Sequence, residues 1–181
     1  PRRILRGACR DYVLGIKAIN GEGDVIRAGG RVMKNVTGVD LVRGLCGSWG
    51  TLAVLTEVTF KVLPKAPETR TVLFVGLADE AAVGVMSAAM GTPYEVSGTI
   101  HLQGSLVGRL SDRELAPERT SLTALRLEGQ QQGLGSRVER LKKELSPFGE
   151  TYELDDGRSR LFWSDIRSLA FLSASYENPL W

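Results

Sequence analysis

Twelve residues from Leu52 to Leu63 (LAVLTEVTFKVL) run with no helical period. Val54, Thr56, Val58, Phe60 and Val62 alternate with Leu55, Glu57, Thr59, Lys61 and Leu63. A period of two places alternate side chains on opposite faces of a sheet, so this run predicts a long strand with one apolar and one mixed face. Pro64 ends it, because proline cannot donate to a strand ladder. A strand of that length needs partners, and the preceding segment supplies them. Residues 12–19 (YVLGIKAI) are β-rich, 20–24 (NGEGD) are turn formers, and 25–28 (VIRA) read as a return strand. Together they predict a β-hairpin. Between hairpin and long strand, residues 34–46 carry a short helical pattern with Val39, Val42 and Leu45 on one face and Thr37 or Asp40 as cap. Residues 46–51 (CGSWGT) then form a loop.

Pro64 and Pro67 bracket a short polar stretch, which predicts a domain boundary there: residues 1–66 in one domain and 67–181 in another. The second part alternates strand and helix. Strands are expected at 71–77, 95–103, 121–127 and 151–154. One helix begins at Asp79 as cap and runs to about Met90, with Val83, Met86 and Met90 on one face. A second carries Leu134, Val138, Leu141 and Leu145 on one face, with Glu139 and Lys143 paired on the other. The glycines from Gly129 to Gly135 read as a loop before it. Residues 111–120 form a polar insertion, and 158–172 a further helix around Leu161, Phe162, Ile166 and Leu169. The order β-α-β-β-α-β matches a ferredoxin-like sandwich, so the fold class is α+β.

The remaining composition mainly excludes. Lys and Arg number 23 against 21 Asp and Glu, a net charge of +2, which demands neither nucleic acid nor an anionic membrane. No apolar run is long enough to span a bilayer. Cys9 and Cys46 lack metal-ligand spacing and read as reduced, largely buried thiols of a cytoplasmic protein. His101 is the only histidine, which leaves no histidine-built metal site and no catalytic triad. Arg2, Arg3, Arg6 and Arg10 form a basic edge near the start.

Chemistry concentrates between Gly29 and Pro64. The amides of the Gly47-Ser48-Trp49-Gly50 loop can donate to an anionic or carbonyl-bearing ligand. Gly50 and Thr51, at the strand entrance, allow a planar ring to approach the backbone. As a whole the stretch resembles the end of the FAD-binding domain in the vanillyl-alcohol-oxidase superfamily, the PCMH-type FAD fold. The matching residues are Lys34, Asn35, Val36, Gly38, Asp40 and Leu41, then Gly47, Ser48, Gly50, Thr51, Leu52, Val54, Thr56 and Glu57. Arg10-Asp11-Tyr12-Val13-Leu14-Gly15 is similar to the family's strand entry. Asn20-Gly21-Glu22-Gly23 and the run from Arg31 to Val36 are similar, within the family, to the E subunit of bacterial glycolate oxidase.

The resemblance implies the C-terminal half of a PCMH-type FAD-binding domain followed by a small ferredoxin-like cap, cut at both ends and inactive alone. It implies FAD as cofactor, with Lys34, Asn35, Gly47, Ser48, Gly50, Thr51 and Val54 against it. It implies oxidation of glycolate or a related 2-hydroxy acid, and as partners a larger flavoprotein subunit and an iron–sulfur subunit, through which the chain meets the membrane. Lys34 and Arg43 are candidate anchors for a substrate carboxylate, and His101 a candidate base; neither role is assigned. Val39 stands where the family has tyrosine, Trp49 where it is often acidic, and Ala53 where it has glycine; a methyl at Ala53 is expected to crowd the cofactor. Two alternatives stay open: a non-catalytic assembly subunit with a degenerate flavin fold, and a lactate or 2-hydroxyglutarate dehydrogenase of the same superfamily. A cut core would also expose apolar surface and favour a homodimer.

Overall fold

The computed structural model describes residues 7–34, 38–115, 117 and 119–172. The chain divides into two compact units, one through Lys65 and the other from Ala66 onward. Each has its own sheet and core.

The first unit opens with a 3-10 turn, Cys9–Tyr12, followed by β1 (Val13–Ile19) and β2 (Val25–Gly29). These pair antiparallel as the hairpin that the turn residues predict. Asn20 builds the turn: its Oδ1 accepts from the amides of Glu22 (3.0 Å) and Asp24 (2.7 Å). Gly29 sits at φ +71°, where a Cβ would fall 2.1 Å from the Leu14 carbonyl oxygen, so only glycine lets the hairpin close there. Helix α1 (Leu41–Leu45) follows, and β3 (Val54–Phe60) completes a sheet ordered β2-β1-β3.

β3 is shorter than the alternating run and does not keep its alternation. Ile16 pairs with Val58 and Ala18 with Leu55, with a register shift between Lys17 and Ala18. Partners across a ladder share a face, so Leu55 and Val58 fall on the same side although three residues apart. The bulged residue is Thr56, whose hydroxyl donates to the Lys17 carbonyl at 3.1 Å. The expected buried apolar face is also missing: Val54 is 63% exposed, Phe60 48% and Val58 39%. The small core of this unit is Val13, Ile16, Ala18, Val42, Leu45 and Ala53.

In the second unit β4 (Glu68–Val75), β5 (Val96–Leu102), β6 (Leu122–Gly129) and β7 (Tyr152–Leu154) form an antiparallel sheet ordered β5-β6-β4-β7. Helices α2 (Asp79–Gly91) and α4 (Gln131–Leu145) lie between them in sequence, with a single turn α3 (Gly104–Val107), and α5 (Asp156–Ser168) comes last. This is the ferredoxin-like order. Both sheet faces are covered. Val72, Phe74, Leu125 and Leu127 pack with Val85 and Ala89 of α2 and with Leu134, Val138, Leu141 and Leu145 of α4. Leu73, Leu122 and Ala124 pack with Phe162, Trp163 and Ile166 of α5 and with Val107, Leu110 and Leu115. Under α5, Arg126 is buried; its Nε and Nη2 each donate to Ser97 at 2.9 Å, and its guanidinium lies 4.6 Å from the Trp163 ring centroid.

Several helix details differ from the sequence reading. α2 is preceded by Ala78 as N-cap, with Asp79 already helical, and it buries Ala82, Val85 and Ala89 while Val83 is exposed. α4 starts at Gln131, so Gly133 and Gly135 are helical and not a loop. Its Glu139 pairs with Lys142, not Lys143, and Lys142 also reaches Glu153 of β7. α5 starts at Asp156 with Asp155 as cap, ends at Leu169 in a left-handed conformation, and leaves Leu161 exposed. Thr37, the basic residues Arg2, Arg3 and Arg6, and the chain end after Leu172 lie outside the described residues. Among the described residues no helix is long and apolar enough to cross a membrane.

Candidate functional site

The first unit holds the residues singled out for chemistry. α1 starts because the Asp40 carboxylate accepts from the Arg43 amide (3.0 Å), satisfying a free N–H of the first turn. The same carboxylate pairs with the Arg43 guanidinium. The amide and the guanidinium hold the Asp40 carboxyl below its usual range. α1 buries Val42 and Leu45, while Val39, expected on that face, is 82% exposed before the helix begins. Gly47 at φ +91° then turns the chain out of the helix.

From there the loop is held by few bonds. The Ser48 amide donates to the Leu45 carbonyl (3.2 Å), and the Thr51 amide (2.9 Å) and hydroxyl (2.6 Å) both donate to the Ser48 carbonyl. Gly47, Trp49 and Gly50 all have positive φ, at +91°, +56° and +75°. Among the described residues, their amides meet no protein acceptor. A Cβ on either glycine would meet nothing within 4 Å. The Trp49 side chain is 96% exposed. The loop therefore presents unused donors and open space beside the entrance of β3, which suits a flat, acceptor-bearing ligand such as a flavin nucleotide. Val54 follows at the start of β3, exposed and paired with Ile19. Ala53 points the other way: its methyl is buried in the core with Ile16 and Leu45, so it fills protein and not a ligand surface.

A separate cavity of about 180 Å³ lies between the Cys9–Tyr12 turn, the hairpin and α1, lined among others by Asp11, Met33, Asp40, Val42, Arg43 and Lys61. Arg43 is thus in a cavity wall, already paired to Asp40. Lys34 is exposed and outside that lining, and Asn35 lies outside the described residues. None of Gly47, Ser48, Gly50, Thr51 and Val54 lines the cavity, so the residues chosen from sequence divide between two places on the unit. Asp11 and Lys61 belong to the cavity without having been singled out. Asp11 stood in the Arg10–Gly15 match, whereas Lys61 read only as part of the mixed face of a strand.

His101 is in the second unit, on β5. Its Nδ1 lies 2.8 Å from the Thr123 hydroxyl and its Nε2 3.2 Å from the Asp79 carboxylate. It ties the sheet to the start of α2 and leaves no ring nitrogen for a substrate. The thiols differ from expectation: both are free, but Cys9 is exposed and Cys46 only half-buried. Burial, then the neighbouring Cys9 charge, raises the Cys46 thiol.

No protein-family model matches the chain. It is 36% identical over 148 residues to glycolate oxidase subunit GlcE of Escherichia coli, covering 82% of this chain and 41% of that one. The chain thus resembles a glycolate oxidase subunit over most of its own length, and over 72 residues it is 43% identical to an FAD-linked oxidoreductase of Mycobacterium tuberculosis. It is also 46% identical over 72 residues to glycolate oxidase subunit GlcD of Bacillus subtilis, covering 40% of this chain and 15% of the relative. The chain spans less than half the length of each of these relatives. In fold it is similar to alkyldihydroxyacetonephosphate synthase, with a TM-score of 0.67 at 14% identity over 94% of this chain and 34% of that one.

Proposed function

We propose that this chain is part of an FAD-dependent oxidoreductase subunit acting on glycolate or a related 2-hydroxy acid, within an assembly of several subunits. The observation that carries this reading is the Gly47–Thr51 loop. Its unused amides and open glycines stand on a chain that resembles a glycolate oxidase subunit over most of its length. Bound FAD would accept the hydride that a 2-hydroxy acid loses on becoming a 2-oxo acid. The chain's own part is to hold and orient. The free amides of Gly47, Trp49 and Gly50 would hold the cofactor, Ser48 and Thr51 fix the loop, and Val54 would offer backbone at the edge of the site. Lys34 and Asn35 are assigned to the same cofactor from the motif alone. No base is assigned on this chain, since His101 is engaged on both nitrogens. A larger flavoprotein subunit and an iron–sulfur subunit are the proposed partners.

The test is to add FAD to the purified chain, desalt it, and read the flavin absorbance bands. Retained bands that Gly50→Val removes, with the urea transition still cooperative, support the site. A protein that never retains flavin, alone or with a glycolate oxidase flavoprotein subunit, overturns the assignment of FAD to this loop and favours the assembly role.

A further inference from the structure

β3 is an edge strand. Among the described residues it pairs with β1 alone, and its other side carries no strand. Lys61 extends that ladder, its amide donating to the Tyr12 carbonyl at 2.7 Å. Successive residues of an antiparallel strand aim their backbone groups to opposite sides, so those of Phe60 and Val58 are directed to the open edge. The side chains beside that edge are apolar on one face. Leu55, Val58 and Phe60 stand opposite Ala18, Ile16 and Val13, which belong to the buried core, and so share the face on which Val42 and Leu45 of α1 pack. All three are nevertheless exposed. An open edge flanked by exposed apolar side chains is a template for a further strand.

Charge determines which strand fits. Glu57 is exposed, and Lys17 engages only one of its carboxylate oxygens, at 2.8 Å. Lys61, although it lines the cavity, is exposed and forms no ion pair among the described residues. We propose that β3 pairs antiparallel with β3 of a second copy of this chain, about a two-fold axis at Thr59, joining two three-stranded sheets edge to edge. In that register Glu57 of each copy lies opposite Lys61 of the other, and Val58 opposite Phe60, so opposite charges meet and an aromatic ring meets a β-branched side chain. The neighbouring registers lose this match. An axis at Glu57 sets that carboxylate against its own copy, an axis at Lys61 sets ammonium against ammonium, and an axis at Val58 puts Lys61 opposite Leu55. The two charges therefore select the Thr59 register. A seven-residue strand gives a contact well below the ~1,600 Å² of a standard stable interface, so the dimer is reversible and forms with rising concentration.

The experiment is sedimentation velocity on the full chain, over concentrations rising to about 0.1 mM. The expected result is a shift from monomer to dimer. Glu57→Lys places lysine against lysine, and Lys61→Glu places glutamate against glutamate. Each alone should weaken the dimer by about tenfold or more. The two single variants, mixed in equal amounts, should associate with each other, and the double variant Glu57→Lys/Lys61→Glu should dimerise by itself close to the parent's dissociation constant. Urea titration checks that each variant folds. Where a single variant does not fold, the double variant decides alone, its dimer supporting the pairing and its monomer overturning it. A parent chain that stays monomeric throughout overturns the proposal. So does a dimer that both charge reversals leave unchanged, or one that mixing fails to restore. The readout contains no flavin, so its failure and that of the flavin assignment are separate results.

Discussion

His101 shows how a single residue can suggest chemistry and perform structure. In the sequence it is the lone imidazole of a chain that needs a base. In the fold it bridges the fully buried Thr123 and Asp79. Replacing it by leucine strands the Thr123 hydroxyl in the core, and an unpaired buried hydroxyl costs about 1–3 kcal/mol. His101→Leu should therefore lower stability by that order in urea unfolding, and adding Thr123→Val should recover part of the loss. A variant of full stability would leave the bridge without a role. Asp112 gives a second test, through pH. A side-chain bond from Arg158 at 2.8 Å, then the Glu114 amide, hold its carboxyl below the usual range. A carboxylate with a lowered native pKa stabilises the fold above its unfolded value, about 3.9, and that contribution is lost as pH falls further through the native value. Stability should thus drop on acidification, and Asp112→Asn should flatten that drop while costing stability at neutral pH. Equal acid slopes in the two proteins would remove Asp112 from the account.

At the level of elements, the sequence was read best where one period stood alone. Leu134, Val138, Leu141 and Leu145 recur at helical spacing on an otherwise polar helix, and all are buried. On α2 nearly every residue is apolar or small, so two faces competed. The fold buries the alanine-rich one, because small side chains let a helix lie close to a sheet of valine, leucine and phenylalanine. α5 went wrong at Leu161 for a related reason: leucine alone does not say which side is covered. Leu141→Ala empties a fully buried site and should cost about 2–5 kcal/mol, whereas Leu161→Ala, at a position 44% exposed, should stay within about 0.5 kcal/mol. Urea titration of both tests the face assignment, and similar losses would contradict it. β3 failed for a different reason. Alternation reports that two faces differ, but it cannot show the bulge at Thr56 or what covers either face. The site was legible to a similar depth. The Gly47–Thr51 loop could be found because glycine runs mark close backbone approach, but Lys61 could not, since a lysine on a strand looks the same whether it faces solvent or a cavity.

At the scale of the whole molecule the two units differ in how completely they bury themselves. The unit from Ala66 onward covers its sheet on both faces, and residues such as Val72, Leu125, Leu134 and Phe162 are at most 1% exposed. Among the described residues, the unit through Lys65 has three strands, a five-residue helix and six buried core residues, with Val54, Phe60 and Leu52 largely in solvent. A domain of about 60 residues is marginal even when it buries its apolar side chains well. Separate expression should expose the difference. Residues 67–172 should fold alone, with a cooperative urea transition close to that of the parent's main transition. Residues 7–65 should show no cooperative transition and should bind a dye for exposed apolar surface. The outcome bears on function, because the proposed cofactor loop lies in the weaker unit. A ligand that binds only the folded form stabilises it by mass action, so FAD should protect residues 7–65 of the full chain from proteolysis more than it protects the second unit. Equal protection of both units, or a fully cooperative 7–65 fragment without ligand, would refute this division of stability.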